Sequence, residues 1–236
     1  MIEVSDLNKA YDVDGQSLKA VDSVSLTIND GEMVSIIGHS GSGKTTLLSL
    51  IGGLTKPDSG RLMIDNVDIW SMSDDDLSGF RNKKISFIYQ FSSLIPTLTA
   101  FENIMLPTAF GDFSQDVAEY AKELLRIVGL EEKMSSYPSH LSGGQQRRVA
   151  IARAFINRPE IVLADEPTGD LDEEAEKEII NLFRRMNEEK NITFVIVTHN
   201  KEVAARATRK LKMSYGKLSD ISAESLEEAC SPLPSP

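Results

Sequence analysis

The feature that most constrains this chain is the run Gly38-His39-Ser40-Gly41-Ser42-Gly43-Lys44-Thr45-Thr46, which fits the pattern G-x-x-x-x-G-K-[ST]. It stands between an apolar run at 33–37, expected as a short strand, and a run at 45–51, expected as a helix. The motif therefore has the strand–loop–helix context that it needs. Glycines let the backbone curl so that several N–H groups point inward, and the following helix turns its positive end to the same point. Such a loop cradles phosphates. Lys44 is placed to bridge the β and γ phosphates of a nucleoside triphosphate, and Thr45 to offer its hydroxyl to Mg²⁺. A glycine-rich turn that merely started a helix would not need the Lys-Thr pair.

A second stretch, residues 161–172, reads Ile-Val-Leu-Ala-Asp-Glu-Pro-Thr-Gly-Asp-Leu-Asp. Its four apolar residues predict a buried strand of a parallel sheet that ends in two adjacent carboxylates. In an open α/β sheet, ligands bind beyond the carboxyl ends of the strands, where Asp165 and Glu166 would project. Taken alone, the stretch is equally a strand that ends in a solvated turn, with Asp172 capping the next helix. The phosphate loop decides between the two: Asp165 is expected to hold Mg²⁺ through water and Glu166 to polarise the attacking water. Hydrolysis of a nucleoside triphosphate is the expected chemistry.

The 236 residues, 41% hydrophobic and 26% charged, suit one globular domain with a full core. A formal net charge of −11 argues against a general nucleic-acid coat, and no direct nucleic-acid partner is expected. Cys230 is the single cysteine, so no intramolecular disulfide can form and a reducing compartment is expected. No apolar run approaches the roughly 20 residues that cross a bilayer, so membrane association would have to come through a partner. The tail from Ser222, acidic and then Ser-Pro-Leu-Pro-Ser-Pro, is expected to be disordered.

Alternation predicts strands in residues 1–28, with a polar loop at 12–17, and further strands at 60–64, 85–89 and 192–197. Tyr11 follows the first strand, where an aromatic ring could stack on a base. Gln90 ends the strand at 85–89. Residues 91–106 are rich in apolar side chains, and their composition favours a satellite core over a docking surface. Helical spacing predicts helices over 116–128 and around Ala175–Met186, and residues 74–137 hold most of the helix outside the alternating order.

Between the two halves of the site stands Leu141-Ser142-Gly143-Gly144-Gln145-Gln146-Arg147-Arg148. Ser142 caps a helix whose N–H groups, freed by two glycines, form a second anion site. One chain has no obvious need of two. Here the sequence resembles the ATP-binding-cassette ATPases, over essentially residues 1–218. The resemblance implies an α/β fold: a P-loop NTPase core with a parallel sheet, an N-terminal antiparallel β subdomain and a helical subdomain inserted at roughly 91–157, the whole spanning 1–221. It further implies that two cassettes, here two identical chains, close face to face around two Mg·ATP. Ser142, Gly143, Gly144 and Gln145 would contact the γ phosphate in trans, with Asp172 at the end of the interfacial loop. Gln90 would sense Mg²⁺ and the membrane partner, His199 would act as the switch at the γ phosphate, and Tyr11 would stack on adenine.

The segments 47–54, 81–90 and 94–104 resemble the branch that holds lipoprotein-release, macrolide-export and cell-division ATPases. That branch implies an integral-membrane permease as partner and a place on the inner face of the membrane. His39, Ser86, Asp170 and Asn200 depart from its usual residues, and Asp170 would set another carboxylate near the dimer interface. A mechanical regulator of an extracytoplasmic enzyme is the main rival. A DNA or ribosome cassette would carry insertions or a tandem cassette, absent here, and a GTPase would need an aspartate where Val203 stands.

Overall fold

The computed structural model describes residues 1–111, 116–169 and 171–221. Asp170 and the tail from Ser222, both singled out above, lie outside the described residues. The chain opens with a hairpin of β1 (Ile2–Val13) and β2 (Gln16–Ile28), closed by Asp14 and Gly15 at φ 54 and 76. β3 (Met33–Ile37) leads through the phosphate loop into α1 (Lys44–Ile51). β4 (Ser59–Ile64), β5 (Val67–Asp68), α2 (Asp74–Lys84) and β6 (Ile85–Ile88) follow. Three helices then come in succession: α3 (Ala100–Met105), α4 (Val117–Ile127) and α5 (Gly143–Phe155). The chain returns to strand–helix alternation with β7 (Ile161–Asp165), α6 (Glu173–Lys190), β8 (Thr193–Val197) and α7 (Lys201–Arg206). It closes with β9 (Arg209–Ser214) and β10 (Lys217–Asp220).

The strands form two sheets. An antiparallel sheet has the order β2-β1-β4-β5, and a larger sheet the order β10-β9-β3-β8-β7-β6. In the larger sheet β9, β3, β8, β7 and β6 run parallel, and β10 is an antiparallel edge. Parallel strands covered on both faces read as continuous apolar runs, which is why β7 and β8 lack polar alternation. Their side chains still alternate between two cores. Ile161, Leu163, Val195 and Val197 pack with α1 and the antiparallel sheet, whereas Val162, Ala164, Phe194 and Ile196 pack with the α3–α5 helices and α6. Phe155, Phe183 and Phe194 meet in the second core, with ring centroids 5.2–6.4 Å apart.

Three expectations need correction. The polar loop expected at 12–17 is only the turn Asp14-Gly15, and Tyr11 lies within β1, paired with Leu18, rather than after the strand. α2 does not join the other helices of 74–137: its one buried residue, Leu77, belongs to the core on the α1 face. A sequence as polar as Asp-Asp-Asp-Leu-Ser-Gly-Phe offers only Leu77 and the partly buried Phe80 as anchors, too short an apolar face from which to read the side it takes. Residues 91–106 are also not uniformly core. Ala100 and Ile104 are buried in the helical core, but Phe91 is 72% and Ile95 41% exposed. Asn103, fully buried, explains part of this shape: its side chain accepts from the Ile95 N–H and donates to the carbonyls of Ile95, Leu98 and Thr99, holding the preceding loop outside the helix.

Candidate functional site

The carboxyl ends of β3, β7 and β8 converge on one cleft of about 570 Å³. Tyr11, Gly38, Ser40, Gly41, Gly43, Lys44, Thr45, Thr46, Gln90, Asp165, Glu166 and His199 line it. These twelve come from five separate stretches of sequence. His39 and Ser42 belong to the same loop: the His39 carbonyl accepts from Ser42 N–H and from Lys44 Nζ. The lining, among the described residues, does not include Ser142, Gly143, Gly144, Gln145 or Asp172.

Gly43 takes φ 104 as it turns the loop into α1, and a Cβ on it would stand 1.9 Å from the Ala20 carbonyl of β2. No other residue fits both the torsion and the space. Gly43 provides no side-chain cap, so the first N–H groups of α1 face the cleft without one. Lys44 is 9% exposed and donates to the carbonyls of Gly38 and His39 at 2.7 and 2.8 Å. Burial lowers its pKa, and the charges of Glu166 and Asp165 oppose that shift. Ser42 Oγ is buried with no partner in the protein.

Asp165 ends β7 with its Oδ2 accepting from Thr45 Oγ1 at 2.8 Å. Burial raises its pKa, and Glu166 beside it pushes the same way. A hydroxyl, a desolvated carboxylate and the Gln90 amide form a hard oxygen donor set near the loop. No cluster of three acidic, histidine or cysteine ligands exists among the described residues. The donor set of Thr45, Asp165 and Gln90, with its single carboxylate, fits Mg²⁺, which takes one or two carboxylates and completes its shell with substrate phosphates and water.

Glu166 departs from regular geometry. Its φ of 45 is a left-handed conformation unusual for a glutamate, of the kind that clusters at functional sites. The turn carries its side chain from the end of β7 to the end of β8. There Oε2 accepts from Thr198 Oγ1 at 3.0 Å, while Oε1 accepts from the His199 N–H at 3.0 Å and lies 2.7 Å from His199 Nδ1. His199 is 78% exposed and Glu166 15%. Asn200 then caps α7, and its amide donates to Glu176 on α6 at 2.8 Å.

The helix head expected to form a second anion site lies outside this cleft. Ser142 Oγ accepts from the Gln145 N–H, and Gln145 Oε1 accepts from the Ser142 N–H, a reciprocal capping box on α5. Ser142 and Gly143 are exposed. A Cβ on Gly143 would meet nothing within 4 Å, so packing inside the chain gives no reason for a glycine there. Asp172 accepts from the Ala175 N–H at 2.8 Å and caps α6, as the simpler reading of that residue requires.

Sequence reasoning passed over Arg147 and Thr198. Arg147 stood inside a quoted motif, but nothing in its spacing announces that its partners are backbone carbonyls. A larger groove, about 1080 Å³, opens at the other edge of the sheet beside Glu160, Asn191 and Thr193. Its lining mixes Arg126, Arg158, Arg185 and Lys190 with Asp30, Glu123, Glu160 and Glu189 and has no helix head. Size does not outweigh the chemistry of the smaller cleft.

A phosphate loop at the carboxyl edge of a parallel sheet, facing an Asp-Glu pair, defines a P-loop NTPase. The ABC transporter family model matches residues 21–169. The chain is 44% identical over 213 residues to the lipoprotein-releasing system ATP-binding protein LolD of Bordetella avium, covering 90% of this chain and 93% of the relative. It is 45% identical over 217 residues to LolD of Cytophaga hutchinsonii, covering 92% and 97%. To the macrolide export ATP-binding/permease protein MacB of Rhodopirellula baltica it is 43% identical over 223 residues, 93% of this chain but only 33% of that longer protein. Among solved structures, a dimeric post-hydrolysis state of the ATP-binding cassette MJ0796, bound to ADP and Pi, has a TM-score of 0.88 at 40% identity, covering 94% of this chain and all of that one. The chain belongs to the ABC transporter family, as an ATP-hydrolysing cassette that uses Mg²⁺.

Proposed function

We propose that this chain is the ATPase subunit of a permease of the lipoprotein-release or macrolide-export type, working as a pair of identical cassettes. The single observation that carries this reading is the contrast between the two anion sites. One is assembled inside the chain, and the other is exposed, capped and built around a glycine that the chain itself does not use. The second site is therefore completed by another copy, whose nucleotide it covers.

In that dimer Lys44 neutralises the β and γ phosphates, and the α1 head and Ser42 hydroxyl hold their oxygens. Thr45, Gln90 and Asp165 would hold Mg²⁺, which would supply charge stabilisation at the phosphates. Glu166 takes the proton of the attacking water, and His199, fixed to Glu166 Oε1, orients that carboxylate and reaches the γ phosphate. Ser142, Gly143, Gly144 and Gln145 contact the partner's γ phosphate, with Asp172 closing the interfacial loop, while Tyr11 stacks on the base. The helical subdomain at 91–157 carries the permease contact through Gln90 and the exposed Phe91 and Ile95, within a cassette of 1–221. The chain sits on the inner face of the membrane through its permease, as the branch it resembles implies; no described helix is long and apolar enough to cross a membrane itself.

The test is size-exclusion of the Glu166→Gln chain with Mg·ATP, then capture from solubilised membranes. An ATP-dependent dimer that recovers a permease is expected. A chain that stays monomeric, or recovers only soluble partners, sinks the assembly.

A further inference from the structure

Arg147 is the fifth residue of α5 and only 3% exposed. Its guanidinium spans two loops of the nucleotide cleft. Nη1 donates to the carbonyls of Tyr89 and Gln90, at 2.7 Å to the latter. Nη2 donates to the carbonyl of Glu166, and Nε to that of Pro167 at 2.9 Å. Four carbonyls from two separate strand ends thus meet one planar fork. A buried cation is tolerated only where such groups replace its water, and loss of the fork leaves desolvated carbonyls behind.

The positions of those carbonyls matter more than their number. Gln90 and Glu166 face the cis nucleotide, and Glu166 holds a left-handed φ that its own residue type disfavours. Arg147 stands one turn from Ser142, Gly143 and Gly144, the head offered to the partner. The side chain therefore ties the cis loops to the helix that carries the trans head.

We propose that Arg147 is a positioning residue that couples the cis site to the trans head, so that movement of the Gln90 and Glu166 loops on nucleotide binding sets the height at which Ser142 and Gly143 meet the partner. This inference rests on the dimer reading given above. A lysine is a point charge with no planar fork; it can satisfy one carbonyl cluster but not both.

The experiment introduces Arg147→Lys into the full chain and measures three quantities. Affinity for Mg·ATP is expected to be unchanged, which also reports that the variant folds. ATP-driven dimerisation, measured in the Glu166→Gln background, weakens by at least about tenfold. Turnover in the Glu166 background falls by about 100-fold, the effect of a misplacement near 1 Å. Dimerisation as tight as that of the Glu166→Gln parent would overturn the coupling, because Arg147 would then serve its own loops alone. Failure of the parent itself to dimerise would overturn the dimer reading and the coupling with it. If the variant does not fold, hydrogen exchange on the unaltered chain, diluted to the monomer, decides the matter. Mg·ATP is expected to slow exchange at Gln90–Ser92 and at Gly143–Gln146 together; protection of the first without the second refutes the coupling.

Discussion

Two helix heads in this molecule begin with glycines, and they are built in opposite ways. α1 starts at Gly43 with no side-chain cap, wedged against β2, with a desolvated lysine in its first turn. α5 starts at Ser142 with both ends of a capping box closed, and Gly143 faces open space. The first glycine is demanded by the chain's own geometry, whereas nothing within the chain demands the second. On the proposed dimer reading, one head is a finished binding surface and the other is half of one.

Gly43→Ala is the sharpest way to break this comparison. A methyl group there meets the Ala20 carbonyl at an unfavourable φ, so a loss of about 3 kcal/mol or more is expected, with ATP binding abolished. Chemical denaturation and nucleotide titration check it, and a variant of ordinary stability would mean that the wedge is soft. Lys44→Ala comes next. Removing a charge-assisted donor in a desolvated site should weaken ATP binding by about 10- to 100-fold at little cost to folding. Unchanged affinity in a fluorescent-nucleotide assay would contradict the role of the α1 head.

Asp165→Asn tests the electrostatics between the heads. Because burial raises the Asp165 pKa, the native state holds that proton more tightly than the unfolded chain. The stability this gives is present below the unfolded pKa and lost as pH rises through the folded one, so at neutral pH the ionised group is a net cost. Because the carboxylate is only half-buried and Thr45 donates to it, the amide should raise stability by less than about 1 kcal/mol, while Mg²⁺-dependent turnover is lost. That gain should shrink as pH falls into the carboxylate range, and a thermal melt series across pH reads it. The smallest stability effect is expected for Gly143→Ala. In the monomer the methyl has room and alanine favours helix, so stability rises by up to about 0.5–1 kcal/mol. ATP-driven dimerisation should nevertheless weaken, and an unaffected dimer would remove the contrast between the two heads.

The cis site was readable from sequence because its chemistry selects residue types. A loop that cradles phosphate needs glycines, a lysine and a hydroxyl, and a cation site needs adjacent acids, so identity and spacing carry the signal. Arg147 was not readable in the same way. Its partners are the carbonyls of Tyr89, Gln90, Glu166 and Pro167, and every residue supplies a carbonyl. The exposed Phe91 was lost for a different reason: an apolar run has the same composition whether its own chain or a partner covers it. Asn200, noted only as a departure, gains meaning from its neighbour. An amide can donate to Glu176 at 2.8 Å while capping α7, whereas an aspartate would set two carboxylates against each other.

The strict alternation of β7 and β8 between two cores has a consequence for how such a chain can vary. Val195 and Val197 serve one face while Phe194 and Ile196 serve the other, so a shift of one residue would exchange the contents of both cores at once. These strands can accept exchanges of one side chain for another of similar volume, but not a codon gained or lost. Length polymorphism among descendants of this gene is therefore expected in its surface connections, with the length of the central strands held constant.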